Sequence, residues 1–181
     1  MLQQKLSMKK NKMVKLYKKR INTPIGEMLA IATDEAICML DFVDSKNWLK
    51  DQEILVKHYG ATQVAEDSLL LSELEKQLRE YFAKERKEFS LPLALVGTSF
   101  QEEVWKVLQT IPYGEVRSYK EQATAVGNPK GVRAVANANG KNRISIVIPC
   151  HRVIGSDGTL TGYASGIERK QFLLDLERSN V

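Results

Sequence analysis

Three short apolar runs open the chain: Val14–Lys19, Met28–Thr33 and Ala36–Phe42 each have strand character. Thr23-Pro24-Ile25-Gly26 and Asp34-Glu35 supply turn residues between them, so a small three-stranded antiparallel sheet is predicted. Two helical patterns follow. Ser45–Tyr59 has Trp48, Leu49 and Ile54–Val56 as its apolar side. In Ser72 to about Glu88, Ser72 and Glu75 have capping-box spacing, and Leu74, Leu78, Tyr81 and Phe82 form one face. Leu91-Pro92-Leu93 through Gly97 breaks the periodicity. The expected organisation is a basic flexible tail at 1–12, an N-terminal α/β domain at 13–93 and a second domain at 94–181.

The second half reads as mainly helical. A capping box at Ser99-Phe100-Gln101-Glu102 precedes Phe100, Val104, Val107, Leu108 and Ile111 at helical spacing, and Pro112-Tyr113-Gly114 stops that helix. Ser118, with Glu121 three residues on, starts a short helix that runs to about Val126, and Gly127 provides a turn. Asn128 then caps a third helix with Pro129 in its first position, where a missing N–H costs nothing. Two helices joined by a short glycine-containing turn make a helix-turn-helix candidate. Gly131, Ala134, Ala136 and Ala138 on the second helix suit close approach to a nucleic-acid groove and equally suit tight helix packing. A short buried strand at Ile144–Ile148 leads into Pro149-Cys150-His151-Arg152-Val153, Asp157-Gly158 is a hairpin signal, and a last helix begins near Ser165 with Glu168 at capping-box spacing.

Charge divides the chain unevenly. Of the net +5, residues 1–20 carry +8, residues 21–97 carry −6 and residues 98–181 carry +3. Arg117 to Arg152 holds seven Lys/Arg against the single acid Glu121. Such a cluster is the footprint of phosphate contacts or simply a solvated face. No apolar stretch reaches the roughly 18 residues of a membrane span, and the basic leader lacks the apolar core of a secretory signal. Two cysteines and two histidines at these spacings make neither a disulfide framework nor a zinc cluster. A cytoplasmic protein without metal or organic cofactor is expected.

Cys150 follows a predicted strand and a proline, so rigid backbone holds it, as a nucleophile requires. A free thiol titrates near 8.5, and some group must take its proton. His151 is adjacent, but neighbours on extended backbone point apart, so a bridging water or a turn is needed. Glu177 in the last helix is placed to orient His151 as a third member. From local sequence alone, a buried structural thiol at Cys150 stands level with this reading. Cys38, inside an apolar strand, reads as structural, and His58 as a surface residue.

Pro149-Cys150-His151-Arg152-Val153 resembles the signature of the O6-alkylguanine-DNA alkyltransferases. Phe100-Gln101-Glu102-Glu103-Val104-Trp105, Ile111-Pro112-Tyr113-Gly114, Ser118-Tyr119, Gly127-Asn128-Pro129-Lys130, Arg133-Ala134-Val135 and Gly162-Tyr163 resemble family blocks in the same order. The resemblance covers the C-terminal half closely and the N-terminal half more loosely, around Thr23-Pro24-Ile25-Gly26. It implies an α+β fold: a small ribonuclease H-like domain followed by a winged helix-turn-helix domain carrying the active site. It also implies stoichiometric, irreversible repair of O6-alkylguanine in double-stranded DNA, with O4-alkylthymine as a second candidate substrate. The partner duplex is bound through its minor groove by a monomer.

The implied roles follow position by position. Cys150 accepts the alkyl group, His151 activates it through a water, Glu177 orients the imidazole and Asn142 braces the segment before the nucleophile. Tyr119 donates its hydroxyl to guanine N3, while Tyr163, Ala164 and Val153 line the substrate pocket. Arg133 is the finger that replaces the flipped base, and Ser118, Lys130, Ala134, Asn137 and Arg152 contact DNA. Two departures stand out. The chain lacks the Cys/His residues with which some relatives bind a structural zinc, and Ser145 and Ala164 occupy positions where some relatives have proline and serine. The rival readings are a non-catalytic lesion-binding or regulatory helix-turn-helix protein, which retention of Cys150, His151 and Glu177 disfavours, and a Cys/His hydrolase, for which no separate histidine is available.

Overall fold

The structure, a computed structural model, describes residues 14–181 apart from Ala65. The expected basic tail at 1–12 lies outside the described residues. Strand β1 (Lys15–Thr23) runs four residues further than its apolar run, because Ile21 is buried on the face opposite Leu16 and pairing continues to the turn. It pairs antiparallel with β2 (Gly26–Ala32), which pairs antiparallel with β3 (Ile37–Phe42). To the three expected strands the structure adds β4 (Thr62–Val64), parallel to β1, in the order β3-β2-β1-β4. Three residues with two polar side chains carry too little periodicity to be read as a strand.

The helices differ from expectation mainly at their starts. Helix α1 (Trp48–Tyr59) begins three residues later than Ser45, whose hydroxyl is bonded to Asp41 instead. Helix α2 (Leu69–Phe82) is capped by Ser68, while Ser72 bonds Asp67, so the Ser72–Glu75 box does not form. The helix ends at Phe82, before Lys84 turns left-handed, rather than near Glu88. Helix α3 (Ser99–Leu108) is capped one residue earlier than read, by a reciprocal Thr98–Gln101 box. The box at Ser118 and Glu121 forms as expected and opens α4 (Tyr119–Ala125). Helix α5 (Val132–Asn139) starts after Gly131, because Asn128 to Gly131 close a separate turn and Pro129 stays outside. The last helix, α6 (Ile167–Arg178), starts at Gly166 with no side-chain cap, so Ser165 and Glu168 form no box.

A continuous core crosses both halves. It includes Met28, Phe42, Leu74 and Tyr81 from the first, and Trp105, Leu108, Val135, Val153 and Leu173 from the second. A smaller cluster of Leu16, Leu29, Ile31, Met39 and Leu55 fills the space between the sheet and α1. β3 is buried along its whole length because its outer edge is also covered. Ile37 exchanges backbone hydrogen bonds with Pro92 and Ala94 at 2.8 and 2.9 Å, and Leu40 does so with Arg143 and Ser145 at 2.8 Å each. An exposed edge would leave these groups unpaired; here the edge holds the loop that leads to Cys150.

Candidate active site

Residues 142–149 form a folded-back loop, with isolated bridges, in place of the expected strand at Ile144–Ile148. Asn142 organises it. Its Oδ1 accepts from Ile144 N at 3.0 Å, and its Nδ2 donates to Ile148 O at 2.9 Å and to Cys150 Sγ at 3.3 Å. Ile146, buried and β-branched, is held at φ 71°, a conformation that costs about 1–3 kcal/mol and persists only where neighbours impose it. The residues on either side of it are pinned: Ser145 N donates to Leu40 O, and Asn142 bonds Ile144 N and Ile148 O. Cys150 then begins a single 3-10 turn, Cys150–Arg152, ahead of the two-residue strand β6 (Val153–Ile154), which pairs in parallel with β5 (Arg117–Ser118).

The turn faces α6. His151 is fully buried, and its Nε2 lies 2.7 Å from Glu177 Oε1. Glu177, equally buried, also accepts from Arg152 Nε at 2.9 Å and NH2 at 3.0 Å, from Tyr81 Oη at 2.7 Å and from Gly114 N at 3.1 Å. Burial by itself would push this carboxyl up. The hydrogen bonds and charges of His151 and Arg152 reverse that and hold it well below the usual carboxylate range. Burial pushes His151 down, with Glu177 pulling the other way, so the imidazole is neutral at neutral pH. Since Nε2–H is directed to an anion, Nδ1 carries the free lone pair; it is buried and has no protein partner.

Cys150 is half-buried. Burial pushes its thiol up, and the Asn142 hydrogen bond and the Lys170 charge oppose that. Lys170 is fully buried in α6, donates to Val153 O at 2.5 Å and Thr161 O at 2.7 Å, and is pushed down to about 8 by desolvation. Tyr119 donates to Thr161 O at 2.9 Å, and burial raises it, so the hydroxyl keeps its proton. Gly162 allows this approach: its φ is 68°, and a Cβ there would lie 2.8 Å from Tyr119 Oη. Tyr163 and Ala164 are half-buried in the same segment, and Val153 is fully buried.

The interface expected for DNA is brought together only in part. Trp105 Nε1 donates to Ala138 O at 2.8 Å, and the buried amides of Gln122 and Asn139 exchange hydrogen bonds of 2.8 and 2.6 Å, locking α4 to α5. That leaves Arg133, Ala134 and Asn137 exposed on α5, with Lys130 exposed ahead of it. Ser118 is half-buried, and its hydroxyl is engaged with Glu121. Arg152 requires correction. Expected on DNA, it is buried, with its guanidinium on Glu177 and on Ile111 O at 2.7 Å. Arg143, from the same basic cluster, is likewise buried, paired with Asp51 at 2.9 Å and bonded to Val96 O. Each buried guanidinium is tolerated because a carboxylate and a backbone carbonyl satisfy it together.

Sequence reasoning missed Lys170 and Tyr81. Lys170, Leu173, Leu174 and Glu177 share one helical stripe, and two charges at the ends of an apolar stripe were the available signal. Nothing in the sequence pointed Tyr81 at Glu177 across 96 positions. Among the described residues, no group of three or more His, Cys, Asp or Glu is gathered as a metal site requires, and no helix is long and apolar enough to cross a membrane.

Residues 16–95 match the ribonuclease-like domain of 6-O-methylguanine DNA methyltransferase, and residues 99–179 match its DNA-binding domain. The chain belongs to this family. A methylated-DNA–protein-cysteine methyltransferase of Methanosarcina barkeri is 44% identical over 92% of this chain and 99% of its own length. A constitutive one of Bacillus subtilis is 47% identical over 86% and 92%. Among solved structures, Mycobacterium tuberculosis O6-methylguanine methyltransferase superposes with a TM-score of 0.78 at 42% identity, covering 92% of this chain and 94% of that one. The same protein in complex with DNA gives 0.77 at 42% identity, covering 93% and 95%.

Proposed function

We infer that this protein repairs alkylated DNA by direct reversal, moving the alkyl group of O6-alkylguanine onto its own Cys150. The observation that carries this reading is the buried Glu177–His151 pair on the turn that presents Cys150, with Asn142 bonded to the sulfur. Cys150 gives its proton, relayed by a water, to Nδ1 of neutral His151, and the imidazolium is stabilised by ionised Glu177. The thiolate attacks the alkyl carbon in line and the C–O6 bond breaks, leaving its electron pair on guanine. The Tyr119 hydroxyl proton goes to N3, making guanine the better leaving group, and the imidazolium returns a proton to the tyrosinate through water. The products are guanine and an S-alkylcysteine thioether, so each molecule acts once.

The base must leave the stack to meet a sulfur inside the fold, at a cost of a few kcal/mol, less for a poorly pairing lesion. Arg133, Ala134 and Asn137 on the exposed face of α5 support a minor-groove docking in which Arg133 fills the vacated position. Lys130 and Lys120 are exposed, which supports phosphate contacts and binding that follows salt rather than sequence. A monomer working in the reducing cytoplasm fits two unbridged cysteines.

Intact-mass measurement after incubation with an O6-methylguanine duplex tests this. One added methyl, mapped to Cys150, is expected; Cys150→Ala should bind DNA and take up none. An unchanged wild-type mass in excess substrate would overturn the reading. Arg133→Ala should slow repair of duplex while leaving Cys150 reactive toward free O6-alkylguanine base, and equal losses on both would remove the finger role.

A further inference from the structure

Asp41 stands out in the otherwise apolar strand β3. Burial pushes its carboxyl up, and four hydrogen bonds, two of them from distant parts of the chain, oppose that. Oδ1 accepts from Phe42 N at 2.9 Å, Ser145 Oγ at 3.1 Å and Ser165 Oγ at 3.2 Å, and Oδ2 accepts from Ser45 Oγ. Ser145 lies on the loop between Asn142 and Cys150. Ser165 follows Tyr163-Ala164 and precedes α6. The two serines are 104 and 124 positions from Asp41 in sequence, and one carboxylate oxygen joins them. The Tyr163 hydroxyl, buried beside Ser145, feels the charges of both Cys150 and Asp41.

We propose that Asp41, a residue of the N-terminal sheet, positions the alkyl-transfer site: its carboxylate clasps the wall that carries Cys150 through Ser145 and the wall that carries Tyr163 through Ser165, and its charge balances Lys170 across the sulfur. This deepens the reading of Cys150 as alkyl acceptor and rests on it. A hydroxyl bonded to a buried charge is held more firmly than one bonded to a neutral group, so the gap between the two walls is set by an atom outside the catalytic half. The charged and titratable groups around the pair are few. Lys170 of α6 favours the thiolate and Asp41 opposes it. Tyr119 of α4 and Tyr163 also face the sulfur. On the Asp41 side, Arg169 of α6 stacks 4.1 Å over the Phe42 ring and pairs with Asp44, while Asp51 of α1 is held by Arg143. His151, Glu177 and Arg152 satisfy one another on the other side of the turn.

Two readouts on wild type, Asp41→Asn and the Ser145→Ala/Ser165→Ala double variant test this. One is the pH dependence of Cys150 modification by iodoacetamide, mapped by peptide mass to keep it apart from buried Cys38; the other is single-turnover methyl transfer from duplex. Asp41→Asn keeps the shape and removes the charge, so the midpoint for Cys150 should fall by about half a pH unit or more. The double variant keeps the charge and removes the clasp, so transfer should slow several-fold with no lowering of the midpoint. An unshifted midpoint in Asp41→Asn, or wild-type transfer by the double variant, overturns the proposal. Should Asp41→Asn not fold, the double variant decides alone. If wild-type protein takes no methyl from duplex, the repair reading fails, whereas the iodoacetamide midpoint still reports the effect of Asp41.

Discussion

The two halves of this molecule handle charge in opposite ways. The N-terminal half, net acidic over residues 21–97, keeps most of its ion pairs at the surface, as in Lys15–Glu66, Lys19–Asp67 and Arg20–Glu27. Pairs of that kind contribute little, about 0–1 kcal/mol each. The C-terminal half draws Arg152, His151, Lys170 and Glu177 inside and satisfies each with hydrogen bonds. Buried charge is costly unless paired, and it concentrates where pKa values have to be set. The first half nevertheless reaches the chemistry, through the edge of β3, Asp41 and Asp51. The contrast is therefore between a half whose ion pairs lie mostly at the surface and a half that gathers its charges around one buried site.

The sharpest way to break the contrast is Glu177→Gln. Neutralising it leaves Arg152 and any imidazolium without an anion, so methyl transfer should fall by about 10²-fold or more and stability by about 3–5 kcal/mol. Single-turnover assays and urea unfolding read the two effects. Next comes a pair of arginines. Arg143→Ala should cost about 2 kcal/mol of stability, short of the full cost of an orphaned charge. The reason is that Asp51, pushed up to about 6 by burial against the opposing charge of Arg143, readily takes a proton. Arg133→Ala, exposed on α5, should leave the urea midpoint unchanged.

A smaller effect separates surface from interior within the basic cluster. Lys130→Gln should reduce the slope of log Kd for DNA against log salt by about 1, whereas Arg152→Gln should lower stability and leave the slope as it was. A reduced slope for Arg152→Gln would put its guanidinium back on phosphate. Acid should separate the halves least abruptly. His151 and Glu177 both have folded pKa values below their unfolded ones, so their contribution is complete above about pH 6.5, the unfolded imidazole value, and is lost as pH falls through the folded values. Near-ultraviolet signals from Tyr81 and Tyr113, which pack 6.0 Å apart beside Glu177, should report this loss, while far-ultraviolet signals from the sheet should persist to lower pH.

Much of this was legible in advance. Pattern periodicity located the antiparallel strands and the helices, and the Ser118–Glu121 box was correct to the residue because a reciprocal cap is a purely local object. Starts with competing partners were misplaced: Ser72, read as a cap, bonds Asp67, and Ser45, read as the first residue of a helix, bonds Asp41. The reach of Glu177 to His151 followed from the family resemblance, but the capture of Arg152 by the same carboxylate did not, since a basic residue in a basic cluster reads as surface until its burial is known.

The order of polar and apolar residues determined which segments become strands and helices, and the motif around Cys150 carried the family resemblance, because both depend on near neighbours in the chain. Only the folded structure decided which charges lie inside, which serines meet Asp41, and that Ile146 is held in a left-handed conformation between Leu40 and Asn142. Those outcomes depend on desolvation and on contacts between residues about 100 positions apart. No local pattern encodes that distance.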